Sequence, residues 1–101
     1  MSDKTFRLEI LTPERAFFSG MVVSLVAPGT IGSLGILANH APLMTTLVTG
    51  KVTFRDPAGT TQTLRSTGGG FLDVASNRAV VLADEILLGS DPEGSDPIRV
   101  S

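Results

Sequence analysis

The sequence predicts an all-β domain, an antiparallel β-sandwich or flattened barrel of about eight to ten short strands. Three observations carry that prediction. Through most of the 101-residue chain apolar residues recur at every second position, the spacing of strands with one face buried. Turn-forming residues arrive roughly every 8–12 positions. No segment keeps helical spacing between caps over several turns.

Taken in order, "TFRLEIL" puts Phe6, Leu8 and Ile10 on one face and Arg7 and Glu9 on the other. "TPER" breaks that strand at Pro13. The short "AFFSG" closes at Ser19-Gly20. "MVVSLVA", Met21 to Ala27, is almost continuously apolar and reads as one central strand covered on both faces. Pro28-Gly29 ends it. "SLGIL" from Ser33 and "LMTTLV" from Leu43 are short strands, and "KVTFR" turns Val52 and Phe54 inward. "DPAG", Asp56 to Gly59, predicts a hairpin turn, because proline presets φ and glycine accepts a positive φ. "TTQTLRS" returns, Gly68-Gly69-Gly70 interrupts at a bulge or close backbone approach, and "FLDVA" resumes. Ser76-Asn77 is the next turn, and "AVVLA", Ala79 to Ala83, is the last strand.

Residues 1–85 form one domain on this reading, and residues 86–101 an extended or disordered acidic tail. Two Asp-Pro pairs, Asp91-Pro92 and Asp96-Pro97, disfavour helix there. Hydrophobic residues make up 42% of the chain, which marks a globular domain able to bury a core without staples. There is no cysteine, so neither a disulfide scaffold nor a cysteine-ligated metal is available. Charge is unevenly spread. Residues 1–83 hold seven basic and five acidic side chains, net +2; residues 84–101 hold five acids against Arg99, net −4. That balance gives no pull toward nucleic acid or an anionic membrane. No apolar run reaches signal-peptide or membrane-span length, so membrane contact is expected only through a partner.

"GTIGSLGILANHAP", Gly29 to Pro42, is the stretch where chemistry could reside. Its glycines match neither phosphate-loop fingerprint, and no lysine or helix follows. An anion site on Gly29–Gly35 stands as the alternative to a turn. His40, the single histidine, has no G-x-S-x-G partner and no second metal ligand in its motif. A loop histidine bonded to a backbone carbonyl and an interface histidine both remain open. The acids form no catalytic pair, and with no Trp or Tyr a nucleic-acid stacking platform is not expected. No catalytic, cofactor or metal residues are therefore predicted.

"LTPER", "FSG", "LVAPGTIGSLGILANHAPL", Gly50, "GGFLDV" and "VLAD" follow one another in an order that resembles the N-terminal β-sandwich of the epsilon subunit of F-type ATP synthases, over residues 4 to about 85. The resemblance implies a rotor component without chemistry of its own, needing no cofactor. It would join the gamma subunit to the membrane c-ring at the cytoplasmic face of the bacterial inner membrane. It implies a ring-facing group of Ile31, Gly32, Ser33, Leu34 and His40, and a gamma-facing group of Thr12, Ala41, Pro42 and Thr45. Two departures stand out. The family's ring-facing loop commonly carries glutamates where this chain has Ile31 and Ser33. The family also commonly continues into an inhibitory helical hairpin, sometimes ATP-binding, where a proline-broken acidic tail is found here; neither inhibition of that kind nor an ATP site is expected.

Overall fold

A computed structural model describes residues 4–88, and all regular structure in that span is β-strand. The strands are β1 (Phe6–Leu11), β2 (Ala16–Val22), β3 (Ser24–Pro28), β4 (Ser33–Ile36), β5 (Leu43–Leu47), β6 (Gly50–Arg55), β7 (Thr61–Ala75) and β8 (Arg78–Leu88).

The hydrogen-bonded path β2-β1-β8-β7-β6-β3-β4, with β5 also on β7, folds over itself because β7 and β8 are long enough to serve twice. The second half of β7 pairs with β5, and the first half with β6. One layer therefore runs β2-β1-β8-β7-β5. The other runs β4-β3-β6-β7-β8, using the far halves of the two long strands. Counted by halves, this is the expected range of short strands. One pair departs from the antiparallel expectation: β1 runs parallel to β8, Arg7 beside Arg78 through Leu11 beside Leu82.

The bend that lets β7 change layers sits at the glycine triplet. Its register with β8 shifts between Thr67 and Gly70, and Gly68 and Gly69 take φ of 80° and 82°. A Cβ at Gly70 would overlap the Leu82 carbonyl, so both a bulge and a close backbone approach are present. β7 thus runs unbroken where the sequence pattern suggests two strands, since a bulge bends a ladder without ending it. β8 likewise runs on past Ala83 to Leu88, so residues 86–88 belong to a strand, and residues 89–101 of the expected tail lie outside the described residues.

"MVVSLVA" corrects the sequence reading. The strand ends at Val22 and a new one starts at Ser24 in the other layer. Val22, Leu25 and Ala27 are buried while Met21 and Val26 are exposed, so neither piece is covered twice. Val23 is the crossing point, its N–H donating to the Arg55 carbonyl at 2.8 Å. Packing at a layer change, which periodicity cannot see, decides this.

The turns follow their sequence chemistry. Asp56 Oδ1 accepts from the Ala58 and Thr60 amides at 3.0 and 2.9 Å, and Gly59 takes φ 94°. Ser76 and Asn77, with φ of 53° and 58°, make a two-residue hairpin loop between Ala75 and Arg78. Between the layers Phe6, Leu8, Ile10, Leu25, Val52, Phe54 and Leu72 are buried. Phe18 and Phe54 meet across the core with ring centroids 4.5 Å apart.

Candidate interaction surfaces

Strand parity sorts the outward side chains of each layer. On the β6–β7–β8 layer they include Lys51, Thr53, Arg55, Thr61, Thr63 and Arg65, with Leu87 beside Arg65 and Glu85 beside Thr67. On the other layer one corner is charged. Glu9 accepts from Arg78 at 2.7 Å and from Arg7 at 3.4 Å, and Arg7 also donates to the Ser19 hydroxyl at 2.7 Å. The Arg78 hydrogen bond, chiefly, holds the Glu9 carboxyl below its ordinary pKa.

Much of the rest of that outer face is apolar, interrupted by Asp73 on β7 and Thr46 on β5. Leu11 lies beside Leu82, Leu82 opposite Phe71, and Met44 opposite Asp73. Met44 is 65% exposed and Leu82 45%. A cleft of about 410 Å³ opens at its edge, lined by Leu11, Thr12, Pro13, Phe71, Leu82 and Asp84 among others. Sequence reasoning picked out Thr12, and Leu43-Met44 as apolar residues suited to a partner, but not Leu11, Phe71 or Leu82. The missed signal was parity: Phe71-Leu72 and Val80-Val81-Leu82 are apolar on both faces of their strands, the pattern of strands covered on both sides.

Thr12 closes the β1–β2 turn. Its N–H and Oγ1 both donate to the Arg15 carbonyl, at 2.9 and 3.2 Å, and the Arg15 N–H returns to Oγ1 at 3.3 Å. Ile31, Gly32, Ser33 and Leu34 lie together on the β3–β4 hairpin. The Gly29 and Gly32 amides donate to each other's carbonyls at 3.0 and 3.3 Å, which pins the tip. Ile31 stands 99% exposed on it. With those two amides used, the anion reading of the loop gains no support.

His40 is not with them. β4 separates it from the hairpin tip, which pairs back toward Leu47 through Gly29, whereas the His40 loop joins the opposite end of the sandwich. There Asn39, at φ 63°, donates its N–H to Asn77 Oδ1 at 2.7 Å, and Asn77 Nδ2 donates to the Thr5 carbonyl at 2.9 Å. The His40 N–H reaches the Leu37 carbonyl at 3.2 Å, and Nδ1 donates to the Ala41 carbonyl at 2.7 Å. That is the carbonyl-bonded loop histidine. Ala41 and Pro42 follow it, both exposed. Thr45 shares inward parity with Leu43 and Leu47, so β5 presents Met44 and Thr46 outward instead. Among the described residues no three His, Asp or Glu side chains gather as a metal site.

Residues 5–89 match the family model described as ATP synthase, Delta/Epsilon chain, beta-sandwich domain. The chain is 50% identical over 84 residues to an ATP synthase epsilon chain of Pelotomaculum thermopropionicum, covering 83% of this chain and 61% of that protein. It is 41% identical over 85 residues to the epsilon chain of Chlorobaculum tepidum, covering 84% of this chain and 96% of the relative. The chain thus spans under two thirds of the first of these relatives and nearly all of the second. The fold also matches a chain in the Euglena gracilis mitochondrial ATP synthase, OSCP/F1/c-ring structure, with TM-score 0.80, 17% identity, and 95% of this chain against 59% of that one. A chain in the central stalk/c-ring structure of the Tetrahymena thermophila enzyme gives TM-score 0.72 and 14% identity, covering 100% of this chain and 81% of that one. With the sandwich, its order of motifs and these matches together, the chain belongs to the ATP synthase delta/epsilon-chain family, whose β-sandwich domain it carries at residues 5–89.

Proposed function

We propose that this chain is a non-catalytic rotor subunit of an F-type ATP synthase. It joins a gamma subunit to the membrane c-ring, so that proton- or sodium-driven rotation reaches catalytic sites on other subunits. Membership of the family across residues 5–89 is the observation that carries the reading. The geometry agrees with it. Face-sized apolar surface is what a structural partner needs.

On this reading gamma takes the apolar outer face around Leu11, Phe71 and Leu82, with the Thr12 cleft at one edge and the His40-Ala41-Pro42 loop at the opposite end of the layer. The hairpin of Ile31, Gly32, Ser33 and Leu34 faces the ring. Because β4 holds the two ends apart, His40 goes with gamma rather than with the ring. A charge pair at an exposed rim is worth about 0–1 kcal/mol, so Ile31 and Ser33 in place of glutamates leave ring docking to shape and apolar contact. The subunit works at the cytoplasmic face of the bacterial inner membrane and meets the bilayer only through the complex.

Mixing the full chain with its own organism's gamma subunit tests the reading. Co-elution at micromolar concentration is expected; separate elution counts against it. Ala41→Glu and His40→Glu are each expected to weaken the complex with unchanged melting, since they set an unpaired charge in a covered contact. Unchanged affinity removes that loop from the interface.

A further inference from the structure

The Ser76-Asn77 turn does more than reverse the chain. A two-residue hairpin loop with positive φ at both positions needs only residues that accept that backbone, and glycine would serve at either. The side chain at 77 is instead committed at both of its polar atoms. Oδ1 accepts from the Asn39 N–H at 2.7 Å, and Nδ2 donates to the Thr5 carbonyl at 2.9 Å. Those partners lie 38 and 72 positions away in the chain. The Asn77 carbonyl also accepts from the Arg7 N–H at 3.2 Å, where β1 begins its parallel run beside β8. The two side-chain partners specify the residue. One can only donate and the other can only accept, so the group between them has to offer an oxygen and an N–H together. A side-chain amide does this, whereas a carboxylate would set an oxygen against the Thr5 carbonyl.

The loop on the other side of this contact, residues 37–42, has little else to hold it. Its other described hydrogen bonds are internal, from the His40 N–H to the Leu37 carbonyl and from His40 Nδ1 to the Ala41 carbonyl. Leu37, Asn39, Ala41 and Pro42 are exposed, while Ala38 packs on the core. Asn39 takes φ 63°, a conformation uncommon outside glycine, so its backbone needs a tether to keep it. Among the described residues, the Asn39–Asn77 bond is the hydrogen bond that joins this loop to the rest of the sandwich.

We propose that Asn77 is a positioning residue for partner binding: its amide holds His40, Ala41 and Pro42 in the arrangement that gamma takes. This rests on the reading of that loop as a gamma contact. A loop without the tether has to be ordered on binding, and that cost is subtracted from affinity. The two arms of the amide divide the work. Oδ1 serves the loop, and Nδ2 fastens the chain at Thr5, just ahead of β1.

Two variants of the full chain separate the arms. Asn77→Gly keeps the positive φ and removes both; Asn77→Asp keeps the acceptor for Asn39 and loses the donor to Thr5. In the isolated chain, the Asn39 amide is expected to exchange about fivefold faster in Asn77→Gly, the weight of one hydrogen bond in contact with water. In Asn77→Asp it should exchange at the wild-type rate. In a titration with gamma, Asn77→Gly should bind about fivefold more weakly and Asn77→Asp like wild type. In a chain already carrying Ala41→Glu, Asn77→Gly should cost little more, because both act through one loop. Unchanged Asn39 exchange in Asn77→Gly overturns the proposal. So does an equal loss of affinity in the two variants, which would assign the effect to Thr5 or to direct contact, and so does a full further loss on top of Ala41→Glu. Failure of the wild-type chain to bind gamma overturns the rotor reading and this proposal together. Wild-type binding with equal affinity for Asn77→Gly overturns the proposal alone.

Discussion

On one outer face of this sandwich the outward positions of β6 and the first half of β7 read Lys51, Thr53, Arg55, Thr61, Thr63 and Arg65, with Val26, Glu85 and Leu87 on their neighbours; on the other, beyond the Arg7, Glu9 and Arg78 corner, Leu11, Phe71, Val80, Leu82 and Met44 predominate, with Asp73 and Thr46 among them. Both layers are built from the same two long strands, β7 and β8, so strand length and propensity do not separate them. The difference is in parity. The first half of β7 is polar apart from the buried Leu64, with water on its outer side, and its second half is apolar on both sides apart from Asp73. An isolated sandwich gains nothing from the second pattern. It makes sense where another chain supplies the missing layer, as in the rotor role proposed above. The charged corner of Arg7, Glu9 and Arg78 then borders the apolar area as a polar rim does.

The strongest way to break the comparison is to destroy the bend on which both faces depend. Gly70→Val drives a side chain into the Leu82 carbonyl and is expected to cost about 3 kcal/mol, a large share of a small domain's stability. Urea unfolding followed by circular dichroism measures this; near-wild-type stability would mean that β7 can cross between layers without the glycine. Next in size is a direct contrast of the faces. Leu82→Glu should weaken gamma binding by about 2 kcal/mol or more, roughly 30-fold, with little change in melting. Thr63→Glu on the opposite face should leave it nearly unaltered. Equal losses from both variants in a calorimetric titration would remove the distinction.

A smaller effect is expected inside, where the halves of β7 meet the core differently. Ser66 is fully buried on the polar-faced half, and its hydroxyl has no hydrogen-bond partner. An unsatisfied buried hydroxyl costs on the order of 1 kcal/mol or more, so Ser66→Ala should raise the urea midpoint. A lowered midpoint would point to a partner such as an internal water.

The smallest effect concerns the rim. Because the folded carboxyl of Glu9 titrates below its ordinary value, it adds stability that is present above the unfolded pKa and lost as pH falls through the folded one. Glu9→Gln should therefore shrink the gap between neutral and acid stability slightly. Melting curves across that range, compared with wild type, decide it. An identical acid limb in the two proteins would show that the Arg78 contact is not felt in solution.

Much of this molecule was legible in the residues before any coordinates. The strand alternation of Phe6, Leu8 and Ile10, the Asp56–Gly59 and Ser76-Asn77 turns, and the glycine bulge are local matters, governed by side-chain spacing and backbone sterics within a few residues. The family could be recognised from the order of its motifs. The candidate interfaces were legible only in part. Thr12 and the Ile31 hairpin lie on turns that a sequence marks well, but Leu11, Phe71 and Leu82 look like core residues until the layers are known.

Sequence alone therefore determined that the domain is all-β, where its tight turns fall, and which residues can be apolar anchors. Tertiary structure decided that "MVVSLVA" splits between layers, that β7 and β8 each serve twice, that β1 runs parallel to β8, and that His40 and Ile31 lie at opposite ends. The physical reason is the same in each case. A turn or an alternation is written by neighbours in the chain, whereas the layer a strand joins, and the face it leaves for a partner, depend on contacts between residues far apart in it.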